Sequence, residues 1–263
     1  MKVTQEQLLV LCHIAQRAGQ EVMAVYEAGG TTWQKEDNSP LTQADLRADQ
    51  VIRQGLETHF PGVFILSEES RSTGSASDEI FFLVDPLDGT KEFLKRNDEF
   101  TVNIALVYRA RPVAGVVYAP ALGEMFYAAR DLGAWKKDRQ GERAIATTRQ
   151  GAGASKLRVM GSRSHGGDKL TAWLAQLPCD HAFVGAGSSL KFCRIAEGAA
   201  DIYPRFGPTS QWDTAAAQCV LELAGGAVTD LQGQTLLYGL DRPILNTEFL
   251  AVGDQALTHL VTG

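Results

Sequence analysis

Leu8, Leu11, Cys12, Ala15, Val22 and Val25 recur at helical spacing and predict an amphipathic helix over residues 4–26. Gly29 and Gly30 end it, and the polar residues 35–40 predict a loop. Thr42 has the character of an N-cap for a second helix reaching residue 58, with Leu46, Val51, Ile52 and Leu56 as its apolar positions. Pro61 and Gly62 break it. Residues 63–66 then predict a strand that delivers Ser67, Glu68 and Glu69, and the Ser/Gly-rich residues 70–77 predict a mobile loop. The unbroken apolar run over residues 80–84 predicts a buried strand with Asp85 at its end. Residues 102–108, 113–118 and 125–128 predict successive antiparallel strands, punctuated by Gly, Pro and Arg.

The second half has a different texture. Short strands are predicted at residues 157–160, 202–203, 227–229 and 249–252, and helices at 168–176, 189–197 and 214–224, with a last helix after Asp254. There is no internal repeat and no low-complexity linker. The expected fold class is α/β, an α+β arrangement of alternating helix and sheet layers. A boundary near Gln150 would divide the chain into an α+β subdomain, residues 1–150, and an α/β subdomain, residues 151–263.

Composition narrows the function classes. The 263 residues are 44% hydrophobic and 21% charged, with a net charge of −6, so the surface disfavours nucleic acid and anionic lipid as partners. A small anionic substrate would then need metal ions or a local basic cluster to meet it. Cys12, Cys179, Cys193 and Cys219 form no C-x-x-C pair, which argues against a zinc site or a redox dithiol and fits a reducing, cytoplasmic setting. The apolar run at residues 8–12 is too short for a secretory signal, and no stretch has the roughly 18 apolar residues of a membrane span. A cytoplasmic location leaves room for association with the inner face of the membrane.

The strongest chemical feature is Asp85, Pro86, Leu87, Asp88, Gly89 and Thr90. A hydrophobic strand brings two carboxylates, three residues apart, into a turn that Pro86 restrains and in which Gly89 allows close backbone approach. Carboxylates this close repel unless cations neutralise them, and Mg²⁺ prefers oxygen ligands. Taken alone, such a pair suits a solvated acidic turn better than a metal site. Glu68 and Glu69, at the end of the neighbouring predicted strand, shift the balance, because two strand ends would converge four carboxylates. Asp213, in Trp212, Asp213, Thr214, Ala215 and Ala216, suits either a helix N-cap or a further ligand. Spacing alone does not bring it to Asp85.

Glu68 with Glu69, the run from Asp85 to Thr90, and the run from Trp212 to Ala216 together resemble the three ordered signatures of the inositol monophosphatase superfamily. Asp37 to Pro40, Leu83 to Val107 with Lys91 to Phe93 inside it, Gly115 to Pro120 and Gly187 to Cys193 resemble its CysQ-type branch of bacterial 3′(2′),5′-bisphosphate nucleotidases. The resemblance implies a Mg²⁺-dependent, lithium-sensitive hydrolase that cleaves adenosine 3′,5′-bisphosphate to AMP and phosphate in sulfate assimilation. It implies Glu68, Asp85, Asp88, Asp213 and the Leu87 carbonyl as ligands of two Mg²⁺ ions, with a third, weaker ion near Glu68. It gives Thr90 and Asp45 the task of deprotonating the attacking water, although Asp45 by its position alone reads as a first-turn helix acid. No covalent phosphoenzyme is needed. Glu68, Leu87, Asp88, Gly89, Thr90, Ser188 and Asp213 would border the substrate, while Lys191 and Arg205 would meet a second phosphate. Surface roles suit Lys191 and Arg205 equally on composition. The segment from Ser162 to His165 could line the nucleotide pocket. The rival readings are an inositol or sugar monophosphatase on the same fold and a non-catalytic, metal-dependent phosphate-binding protein.

Overall fold

The computed structural model describes residues 1–29, 32–34, 40–70, 79–150, 155–162 and 167–261. The predicted loops at 35–39 and 71–77, and Arg163 to His165, lie outside the described residues.

Helix α1 (Gln5–Ala28) starts at Thr4, whose hydroxyl accepts from the Gln7 N–H while the Gln7 side chain accepts from the Thr4 N–H. Gly29, at φ 70°, ends it. Two short strands, β1 (Thr32–Gln34) and β2 (Pro40–Thr42), pair antiparallel and lead into α2 (Gln43–His59). Leu46 departs from the expected pattern. It is exposed, and the buried face of α2 is made instead by Ala44, Asp45, Ala48, Asp49, Ile52 and Leu56. The two acids on this face spoil the apolar periodicity that the sequence reading relied on.

A seven-stranded sheet follows: β3 (Phe64–Ser67), β4 (Ile80–Asp88), β5 (Thr101–Tyr108), β6 (Arg111–Ala119), β7 (Glu124–Ala129), β8 (Gly133–Asp138) and β9 (Gly141–Ala144), in that spatial order. β3 runs parallel to β4; the rest are antiparallel. Along β4, Phe81 and Leu83 face one core and Phe82 and Val84 the other. Helices cover both faces, which is why the strand reads as an unbroken apolar run. β4 does not stop at Val84. It continues through Asp85 to Asp88, with its register against β5 shifting between those two acids. The short helix α3 (Thr90–Lys95) follows, with Gly89 before it at φ 90°.

A five-stranded sheet is built from β10 (Lys156–Gly161), β11 (Asp180–Gly185), β12 (Ile202–Arg205), β13 (Ala227–Asp230) and β14 (Phe249–Val252), ordered β11-β10-β12-β14-β13. α4 (Asp168–Ala175) lies between β10 and β11 in sequence, α5 (Leu190–Ala196) before β12, and α6 (Gln211–Leu223) after it. The last segment is a 3-10 helix, Gln255–Val261, tighter than the helix expected there.

The elements stack as alternating layers. α1 and α2 pack on one face of the seven-stranded sheet, and α5 and α6 are buried between its other face and the five-stranded sheet. Trp173 and Leu174 of α4 join the outer core of the five-stranded sheet. The spacing between α6 and the large sheet is set by Gly115 on β6, where a Cβ would lie 2.4 Å from the Ala216 carbonyl oxygen. No helix among the described residues is long and apolar enough to cross a membrane.

Candidate active site

The site forms where β3, β4 and α6 meet. Glu68 follows β3 in a turn closed by the Ser67 N–H donating to the Ser70 carbonyl, 3.0 Å. Buried Asp49 of α2 holds both ends of this turn, accepting from the Ser67 and Ser70 hydroxyls at 2.6 Å each. On β4, the register shift turns the chain so that the Leu87 N–H donates to Asp85 at 3.0 Å, while the Thr90 hydroxyl donates to the Leu87 carbonyl at 3.3 Å. Asp213 comes from the first turn of α6. It is not the N-cap: Ser210 caps the helix, and Asp213 reaches back to accept from the Ser210 N–H at 2.7 Å. That capping bond fixes one carboxylate oxygen and fits a charge at the positive end of α6.

Carboxylate oxygens of Glu68, Asp85 and Asp213 lie within 4.8 Å of one another. Burial, followed by the charges of Glu68, Asp88 and Asp213, holds the Asp85 carboxyl well above the usual range. Burial and then the Asp88 charge push Asp213 up to about 8. Asp85 and Asp213, with Glu68 beside them, form a set of hard oxygen donors that fits a divalent cation such as Mg²⁺.

These acids line a cleft of about 940 Å³, together with Leu87, Asp88, Gly89, Thr90 and Arg205. Tyr203, Phe206, Leu170, Ser162 and Leu245 contribute its other walls. A recess of about 140 Å³ shares Asp88, Arg205 and Asp213 with the cleft and reaches Ser188 and Lys191. Lys191 is not a surface residue. Its ammonium donates to the carbonyls of Ser188, 2.6 Å, and Ala186, 3.4 Å, and burial lowers its pKa to about 8. Arg205 donates to the carbonyls of Gly207 and Pro208 at 3.2 and 2.8 Å. The Gly187 N–H, in the turn before α5, donates to Glu99 at 2.9 Å. Asp45 is buried beside the site elements rather than in the cleft wall, and one of its oxygens accepts both the N–H and the hydroxyl of Thr42 at 2.8 and 2.6 Å.

Asp49 and Asn103 escaped the sequence reading as site residues. Both carried a signal: an acid four residues after Asp45 on a face with Ala44, Ala48 and Ile52, and a lone amide inside an apolar strand.

Layered helices and sheets around a carboxylate cluster at two strand ends and a helix start define a metal-dependent phosphatase class, and the chain belongs to the inositol monophosphatase family, whose model matches residues 4–261. Within that family it is similar to the 3′(2′),5′-bisphosphate nucleotidase CysQ of Salmonella typhimurium strain LT2, 47% identical over 243 residues, or 91% of this chain and 96% of that protein. The CysQ of Escherichia coli strain K12 is 46% identical over 245 residues, covering 91% and 96% respectively. Among solved structures, CysQ from Bacteroides thetaiotaomicron, described as a bacterial member of the inositol monophosphatase family, superposes with a TM-score of 0.79 at 34% identity over 94% of this chain and 97% of that one.

Proposed function

We propose that the chain is a Mg²⁺-dependent 3′(2′),5′-bisphosphate nucleotidase that hydrolyses adenosine 3′,5′-bisphosphate to AMP and phosphate in the cytoplasm. The observation that carries the reading is the pairing of an acidic floor, Glu68, Asp85 and Asp213, with a basic wall, Arg205, in one cleft of about 940 Å³. That volume is at the large end of the range of about 300–1,000 Å³ typical of small-molecule sites. The full-length similarity to CysQ proteins supports the same substrate.

Glu68, Asp85, Asp88, Asp213 and the Leu87 carbonyl would hold two Mg²⁺ ions, with a weaker third near Glu68. Bound there, Mg²⁺ supplies charge neutralisation of the phosphate oxygens and acidification of water. Thr90, its hydroxyl 3.3 Å from the Leu87 carbonyl, orients the attacking water. Asp45, whose carboxylate accepts from the N–H and hydroxyl of Thr42, is assigned as the proton acceptor for that water. Gly89 lets the scissile phosphate approach the backbone, Ser188 borders it, and Arg205 with Lys191 meets the second phosphate. In this reading residues 1–150 bring most of the metal ligands, and residues 151–263 bring Asp213 and the nucleotide pocket.

The test is phosphate release from adenosine 3′,5′-bisphosphate and from inositol 1-phosphate, with and without Mg²⁺. The expected result is Mg²⁺-dependent turnover with a clear preference for the nucleotide. Preference for inositol phosphate would assign the cleft to a sugar phosphate, and no turnover of either would leave a binding protein.

A further inference from the structure

Asp88 is tied to the rest of the site by two buried polar side chains that carry no assigned task. Asn103, in the middle of β5, donates from its amide nitrogen to Asp88 Oδ2 at 3.3 Å and to Ser189 Oγ at 2.9 Å. Ser189 Oγ lies 2.8 Å from the same Asp88 oxygen and 2.6 Å from the Asp213 backbone carbonyl. Asn103 and Ser189 are 1% and 2% exposed. The other end of the Asn103 amide, Oδ1, is buried with no hydrogen-bond partner. A buried acceptor left unpaired is unfavourable, and the opposite amide orientation would aim that oxygen at a carboxylate. Asn103 is therefore held with both N–H bonds facing Asp88 and Ser189. Ser189 has one proton and two acceptors in reach, one on each of two candidate ligand residues.

We propose that Asn103 and Ser189 are positioning residues that occupy Asp88 Oδ2, leave Oδ1 for a cation, and lock Asp88 to the start of α6 and to the turn at residues 187–189. The inference rests on the reading of Asp88 and Asp213 as cation ligands. It adds a mechanical link: β4, β5, α5 and α6 meet at one hydroxyl, so a shift of the 187–189 turn is felt at both carboxylate residues. Groups that orient a metal's ligands commonly change metal affinity by about 10–100-fold when removed.

The experiment is isothermal titration of Mg²⁺ into the purified full chain without substrate, with thermal unfolding measured alongside. Ser189→Ala and Asn103→Ala are each expected to weaken Mg²⁺ binding about tenfold or more. The double variant should lose less than the sum of the two in free energy, because Asn103 and Ser189 bond each other. Ser189→Thr, which keeps the hydroxyl, should restore most of the affinity. Folded variants that bind Mg²⁺ like the parent overturn the proposal, as does a purely structural outcome in which the melting temperature falls and Mg²⁺ affinity does not. If Ser189→Ala does not fold, Asn103→Ala decides on its own. A parent protein that binds no Mg²⁺ would instead sink the metal-site reading beneath it.

Discussion

Asp88 and Arg205 line the same cleft, and the proposed reading gives them opposite ends of the substrate. Asp88→Asn keeps the size of the side chain and removes the charge, so kcat should fall roughly 100-fold or more, the scale of losing one group that stabilises the charge of a phosphoryl transition state. Steady-state rates at saturating Mg²⁺ check this, and near-normal turnover with unchanged Mg²⁺ dependence would remove Asp88 from the metal site. In the same reading Arg205 meets a phosphate far from the bond that breaks. Loss of a charge-assisted hydrogen bond of about 1.5–3 kcal/mol should raise KM for the bisphosphate nucleotide about ten- to a hundredfold. KM for a simple monophosphate should change little. Equal effects on both substrates would show that Arg205 does not read the second phosphate. Lys191 is a weaker discriminator, because its ammonium already holds the carbonyls of Ala186 and Ser188, so Lys191→Ala should also disturb the turn they belong to.

At the scale of elements, α6 carries Asp213 and is pressed against the large sheet at Gly115. A methyl group at Gly115 would meet the Ala216 backbone, which cannot rotate away as a side chain would. Gly115→Ala should therefore destabilise the protein by about 1–3 kcal/mol and displace α6. A lower denaturation midpoint accompanied by weaker Mg²⁺ binding would show that the packing of α6 sets the ligand geometry. An unchanged Mg²⁺ affinity would show that Ser210 and the capping bond hold Asp213 regardless of the sheet. The strands β8 and β9 illustrate what element-level patterning misses. Lys136 on β8 is buried, 2.8 Å from Glu124, 2.7 Å from Glu197 and 3.5 Å from Asp138, and this ion cluster occupies positions where a sequence pattern expects apolar residues. Asp138 lies on β8 itself, but Glu124 comes from β7 and Glu197 from the residue after α5, so no local window contains the whole cluster.

For the whole molecule, the buried acids link stability to pH and to metal. Asp213 moves from 3.8 to about 8 on folding without a cation, and Asp85 moves in the same direction. The folded state therefore holds more protons than the unfolded state between those values, and the cation-free protein loses stability as pH rises through that window. In the proposed reading Mg²⁺ needs the cluster deprotonated, so its affinity and its stabilising effect should grow over the same range. Thermal unfolding at pH 6 and pH 8, with and without Mg²⁺, should show a larger increment from Mg²⁺ at pH 8. Proton release on titration with Mg²⁺ should be greater at pH 6. An increment independent of pH would contradict a protonated cluster.

The sequence by itself determined the elements whose signals are local. The capped helix α1, the apolar run of β4 with the acids after it, and the order of the acidic motifs are all legible, because caps, periodicity and turn residues act over a few positions. The resemblance of three ordered motifs also carried the family, which the match over residues 4–261 bears out. Tertiary structure alone decided the rest. It placed Asp213 beside Asp85 and Glu68 across about half of the chain, by packing α6 against the sheet at a glycine. It turned Lys191 inward, and it set Asn103 and Ser189 on the same oxygen of Asp88. These contacts join residues from separate elements, and their geometry comes from layer spacing and strand register, which no local pattern of residues encodes.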